Sequence, residues 1–198
     1  MDAVELHGRE QVCRRCEHAG RGWAEVDLRD KSGLTPLSWM ANKGHADVVR
    51  LLLQTGEAEV DSKDSEYGQT PLSRAAVEGH ADVVKMLLEK GAEVDKQNNW
   101  GWTPLSYATR NGHTDVVKLL LEKGAEVNSD SDSKTRLSQV TENGSADVVR
   151  ILLKNGTEVD SEDYWGQTAL DYAKIRIYQA WPWGSPEGRR DVVELLEE

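Results

Sequence analysis

Thr-Pro-Leu followed by Ser recurs along this chain at a nearly fixed interval. It stands at Thr35-Pro36-Leu37-Ser38, Thr70-Pro71-Leu72-Ser73 and Thr103-Pro104-Leu105-Ser106. It then blurs to Thr135-Arg136-Leu137-Ser138 and Thr168-Ala169-Leu170-Asp171. The steps between the threonines are 35, 33, 32 and 33 residues. A period of this size marks a row of similar supersecondary units, each touching only its neighbours. That excludes most globular architectures at once.

The unit around Thr103 shows the local logic. Its hydroxyl suits a helix N-cap, and Pro104 suits the first helical position, where a missing N–H is no loss. Leu105, Ala108 and Thr109 fall on one side of a short helix, small enough for a neighbouring helix to approach. Asn111-Gly112-His113 turns the chain. Asp115 then complements the dipole at the start of a second helix. Val116, Val117, Leu119, Leu120 and Leu121 give that helix a broad apolar face. Gly124 is placed for a left-handed C-cap, and Ala125-Glu126-Val127-Asn128 leads into a polar loop. Helices of two to three turns are marginal alone in water, so stacking must stabilise them.

With these residues laid out, the chain resembles the ankyrin-repeat family. The resemblance rests on the Gly-x-Thr-Pro-Leu start, the Ala pair, the Gly-His turn, the Val-Val…Leu-Leu-Leu helix and the Gly-Ala-Glu-Val-Asp exit. It covers roughly residues 24 to 198. Ser38, Ser73, Ser106 and Ser138 depart from it, standing where the family usually has His. The near-identity of the units is similar in style to the ankyrin tails of large fungal sensor proteins. The resemblance implies an all-α solenoid of stacked helix-turn-helix units with β-hairpin or loop fingers. Residues 1–26 are expected to form a degenerate helical cap. The array at 27–198 divides into units at about 30–61, 62–95, 96–128, 129–160 and 161–198.

Two units depart from the pattern. In the fourth, Ser133 replaces the turn glycine, Arg136 the proline, Val140-Thr141 the Ala pair and Ser145 the histidine. It is expected to be the least stable link. Its acidic run, Ser129-Asp130-Ser131-Asp132-Ser133, reads as a solvated loop, with phosphorylation as the functional alternative. In the fifth, Asp47, Asp82, Asp115 and Asp147 predict Asp191 as the opening of the second helix. The step of 44 leaves about 11 extra residues, expected as a loop at 178–187 that holds Trp181, Pro182, Trp183, Gly184 and Pro186. The last helix ends Leu195-Leu196-Glu197-Glu198, which suits either a polar terminal cap or the cut edge of a longer array.

Charge and composition narrow the function. A formal net charge of −11 with no basic stripe opposes nucleic acid and anionic membrane surfaces. No apolar run reaches the roughly 20 residues of a membrane span. The acidic start, Met1-Asp2-Ala3-Val4-Glu5-Leu6, does not resemble a signal peptide. Two cysteines make no disulfide framework. The expectation is a cytoplasmic or nuclear monomer, with the sequons at Asn143 and Asn155 serving as turns. Catalytic signatures are missing: there is no nucleophile elbow, phosphate-cradling loop or His-Glu-x-x-His. His45, His80 and His113 recur one unit apart, too far to share an ion at Zn–N distances of about 2.0–2.1 Å, and are expected to bond backbone instead. Cys13-Arg14-Arg15-Cys16 with His7 and His18 is half of a zinc pattern at no standard spacing. No metal or cofactor is therefore expected, with that cluster as the minor alternative. Glu89 and Glu122, with Lys85 and Lys118, read as a solvated helix face.

The resemblance also implies a concave face made by fingers and first helices. Here the tips carry Tyr67, Trp100, Trp102, Tyr164 and Trp165. The first helices add Trp39, Arg74, Tyr107 and Tyr172, with Lys43, Glu78 and Arg110 nearby. Trp, Tyr and Arg dominate binding energy at interfaces. The expectation is a non-catalytic scaffold that binds a partner protein, possessed of a basic patch, through these residues. The alternative is a recognition or sensor fragment of a larger regulatory protein.

Overall fold

The computed structural model describes residues 27–128, 136–178 and 186–197. The expected helical cap, the Cys13/Cys16 cluster with its histidines and the Ser-Asp run lie outside them. Within them the repeat folds as paired helices: α1 Pro36–Lys43 and α2 Ala46–Thr55, α3 Pro71–Glu78 and α4 Ala81–Glu89, α5 Pro104–Arg110 and α6 Thr114–Glu122, α7 Arg136–Asn143 and α8 Ala146–Lys154, α9 Ala169–Tyr178 and α10 Pro186–Glu197. The first helices of successive pairs contact one another in a row, and the second helices form a parallel row behind them. Among the described residues there is no strand. The fingers are closed turns rather than hairpins of paired strands.

Each first helix starts as its sequence dictates. Thr35, Thr70 and Thr103 sit in extended backbone and accept the amide of the Ser three residues on. The serines explain the departure from the family pattern. Ser38 and Ser106 hydroxyls lie 3.0 Å from the capping threonine hydroxyls, and Ser106 also receives the Thr103 amide, completing a capping box. In the fifth unit a charged group takes this role. Asp171 accepts both the amide and the hydroxyl of Thr168, and the amide first, then the hydroxyl, holds its carboxyl below the usual carboxylate range.

The core is a ladder of equivalents. Leu37, Leu72, Leu105 and Leu137 are fully buried along the first row, and Val84, Leu87, Val117, Leu120, Val149 and Leu152 along the second. Thr109 is fully buried where an Ala would stand, because its hydroxyl turns back to the Leu105 carbonyl at 2.7 Å.

Between units the polar bonds repeat as regularly. His80 Nε2 bonds the Asn42 carbonyl at 3.1 Å and His113 Nε2 the Val77 carbonyl at 2.8 Å. The turn histidines thus reach backward, tying one helical turn to the preceding one. In the fourth unit Ser145 cannot do this, and the Asn143 side-chain amide donates to the corresponding carbonyl, that of Arg110. That unit also begins at Arg136 rather than proline. Amides of residues 137–143 are expected to exchange with solvent faster than those of residues 72–78; equal protection would remove the weak link.

The exit loops carry a carboxylate ladder. Asp27, Asp61 and Asp95 accept the amides of Glu59, Glu93 and Glu126, each in the next unit. Burial pushes the Asp61 carboxyl above the ordinary range, with the Glu93 amide opposing and the Glu93 charge adding to the rise. A raised folded pKa means that Asp61 favours folding most below its unfolded value of about 3.9, and loses that contribution as pH rises through the folded value. At neutral pH its charge works against the fold. Asp61→Asn keeps an acceptor and removes the charge. It is expected to raise the melting temperature at pH 7 and to be without effect near pH 3. A lower melting temperature at pH 7 would contradict this sign.

Two sequence expectations need correction. The loop expected at 178–187 is trimmed at both ends, and its residues 179–185 lie outside the described residues. Tyr178 ends α9, and Pro186 opens α10 from the first helical position that proline favours. Asp191 therefore lies within α10 instead of starting it, and Gly188 is helical. On the helix face, Lys118 pairs with Asp115 at 3.6 Å, one turn earlier, rather than with Glu122.

Candidate functional site

The fingers are built by one short polar device. In each described finger an Asp or Asn stands five or six residues before the capping threonine. Its side-chain oxygen accepts the amides of the turn. Asp30 takes Ser32 and Leu34; Asn98 takes Trp100 and Trp102; Asp163 takes Trp165 and Gln167. Asp64 takes four, from Glu66, Tyr67, Gly68 and Gln69. Asx side chains favour such local bonds because they are short and polar.

In three of these fingers the same side chain also grips the first helix at the residue four past the threonine. Asp64 receives Arg74 Nη2 at 3.1 Å, Asn98 Nδ2 donates to the Tyr107 hydroxyl at 2.7 Å, and the Tyr172 hydroxyl donates to Asp163 at 2.5 Å. Each of these three fingers is thereby locked to its own helix. Burial first of all pushes the Tyr107 hydroxyl up from its ordinary pKa, while hydrogen bonds from Gln69 and Asn98 oppose. Asp64 was not among the residues singled out from sequence, nor were Asn98 and Asp163. Their distance from the threonine, five or six residues, was the available signal.

Successive fingers are also tied together. Ser65 N–H donates to the Ser32 carbonyl and Asn99 N–H to the Tyr67 carbonyl, both at 3.0 Å. Arg29 and Lys63 reach forward to the carbonyls of Lys63 and Gln97, each at 2.7 Å. The basic side chains of the fingers are thus turned along the row.

These bonds sort the ten residues expected at the binding face. Arg74, with its side chain only 13% exposed, is held by the fully buried Asp64, and Tyr107 and Tyr172 hold fingers in the same way. Trp102 is half-buried, packed on Tyr107 at 5.2 Å between centroids and covered by the Arg110 guanidinium at 4.9 Å. Trp39 carries the Lys43 ammonium at 5.1 Å. Tyr67, Trp100, Tyr164 and Trp165 remain exposed, at 38%, 57%, 85% and 59%. Tyr67 and Trp100 come from neighbouring fingers, and their rings meet at 5.3 Å and 37°. Tyr164 and Trp165 meet edge to face at 6.0 Å on the fifth finger. Beside the first pair, the Glu66 carboxylate at the Tyr67 hydroxyl raises the phenol's pKa.

The His80 and His113 nitrogens that reach other units do so to backbone carbonyls. Among the described residues no cluster of His, Cys, Asp and Glu is placed to hold a metal, and no helix is long and apolar enough to cross a membrane. A groove on the opposite row, between α2 and α4, is lined by the mixed charges Arg50, Asp82, Lys85, Glu89 and Lys90.

A family model of ankyrin repeats in three copies matches residues 1–98, and a single-repeat ankyrin model matches residues 100–132. Together they span more than half of the chain. No curated protein matches it.

Proposed function

Since this chain belongs to the ankyrin-repeat family, whose repeats are generally protein–protein interaction modules, we propose that it is a non-catalytic scaffold gripping a partner protein across its fingers and first helices. One observation carries this reading. Four large aromatic side chains stand exposed on the tied turns of the second, third and fifth fingers. Rigid aromatics offer large contact area with little entropy to lose on binding.

The ten residues divide into roles. Tyr67, Trp100, Tyr164 and Trp165 make the contact. Trp39 and Arg110 on the first helices, and Trp102 just ahead of α5, flank it. Arg74, Tyr107 and Tyr172 hold the fingers in register. The net charge of −11 favours partners with a basic surface, through faster and salt-sensitive association.

Affinity capture from the native host tests the proposal. A Trp100→Ala/Trp165→Ala variant is expected to lose the partner recovered by the wild-type chain. Each true anchor is worth about 2 kcal/mol or more on truncation, roughly a thirtyfold drop in affinity. Equal recovery by both proteins would reject the aromatic tips as the contact.

A further inference from the structure

The aromatic rings on this face fall into two states. Trp102 and Trp39 already carry a cation from their own chain, Arg110 and Lys43 respectively. The Tyr67–Trp100 pair has none over it among the described residues, although it is built of the same rings and is more open to solvent. The basic residues of these two fingers are engaged elsewhere. Lys63 donates to the Gln97 carbonyl, Lys96 pairs with Glu93 at 2.9 Å, and Arg74 is drawn down to Asp64. The Glu66 carboxylate stands at the Tyr67 hydroxyl.

We infer that Tyr67 and Trp100, with the Glu66 carboxylate, form a receptor for an arginine side chain presented by an extended segment of the partner. The inference rests on the recognition function proposed above and names the chemistry that one part of the face selects. A ring face attracts a cation through its quadrupole, and a planar guanidinium also stacks on it while donating hydrogen bonds to a carboxylate. Arg110 over Trp102 is the same contact made within the chain.

The test uses the whole chain and two nine-residue peptides, one alternating Gly and Arg, the other with every Arg replaced by the neutral isostere citrulline. Binding is followed by titration calorimetry and by the indole N–H signal of Trp100 in the NMR spectrum. The arginine peptide is expected to shift that signal and to bind more tightly than the citrulline peptide. Trp100→Ala leaves the net charge unchanged, so general attraction to an acidic protein is preserved. It is expected nevertheless to weaken the arginine peptide about two- to fivefold, as one exposed cation–π contact implies, with Trp100→Tyr recovering most of the loss. Glu66→Gln is expected to weaken it as well. Equal binding of the two peptides, or an arginine affinity indifferent to Trp100→Ala, overturns the assignment. Should that happen while partner capture still depends on Trp100, the recognition face survives and only its arginine specificity is lost. If capture also ignores Trp100, the face itself is wrong.

Discussion

Replacing Asp64 with Ala is expected to cost about 3–5 kcal/mol of unfolding free energy, whereas Arg74→Ala costs about 1 kcal/mol. The two residues form one ion pair, so a contact-by-contact view would give them equal weight. Their surroundings differ. Asp64 is fully buried and satisfies four backbone amides besides the guanidinium. Without it, Arg74 is left as a largely buried, unpaired charge, and its Nε already has no partner. Four turn amides lose their acceptor at the same time. Without Arg74, the carboxylate still holds its four amides and remains satisfied. Tyr at the Arg74 position would restore a bond of the kind that Asp163 makes with Tyr172. Urea unfolding of Asp64→Ala, Arg74→Ala and Arg74→Tyr measures the asymmetry. Equal losses from the two alanine variants would show that the ion pair, not the turn, is the stabilising element. Asp64→Ala should also abolish partner binding, because the same carboxylate fixes the Tyr67 backbone.

The second large effect separates backbone strain from packing. Gly79 and Gly91 both adopt left-handed backbone, at φ +81° and +86°. An Ala at either position carries about 1–2 kcal/mol of strain. At Gly91 the added methyl meets nothing within 4 Å, while at Gly79 it would lie 2.5 Å from His113 Nδ1 and 2.8 Å from its Cγ. Forcing a fitted contact apart adds about 1–3 kcal/mol. Gly79→Ala is therefore expected to cost about 2–5 kcal/mol and Gly91→Ala only about 1–2 kcal/mol. His113→Ala in the Gly79→Ala background should return most of the difference, apart from the lost bond to Val77. If the two glycine variants unfold alike, the imidazole does not set the spacing between units.

Much of this molecule was legible because its sequence repeats. The threonine caps, the proline starts, the glycine turns and the leucine ladder each obey a local rule, and three good copies made the rule visible. His80 and His113 were foreseen as backbone-bonding, and they are. Their target, a carbonyl one unit back, was not, because no local rule identifies a partner 36 or 38 residues away. The far bound of the insertion in the fifth unit misled for a related reason. Proline and glycine signal both loops and helix starts, and Pro186 turned out to begin a helix.

The aromatic and charged candidates were harder. From sequence, Arg74 and Trp100 look alike as large, interface-prone side chains on the same face. Burial separates them, and burial here follows from the Asx locks. The position four past Thr35, Thr70, Thr103 and Thr168 is occupied by Trp39, Arg74, Tyr107 and Tyr172, and a lock engages three of these. Variation at that position looked like binding diversity. In those three units it is variation in how a finger is fastened.

One of the fingers differs in length. Asp64 N–H bonds the carbonyl of Gln69, five residues on, whereas Asp30, Asn98 and Asp163 each bond the carbonyl four residues on. The extra residue accounts for one of the two by which the first interval exceeds 33. Helices on either side keep their register, since the carboxylate simply recruits more amides. Tip length and tip identity can therefore drift while the scaffold beneath stays constant. A lineage carrying this array could acquire new binding specificity by single-codon insertions, with no compensating change in the core.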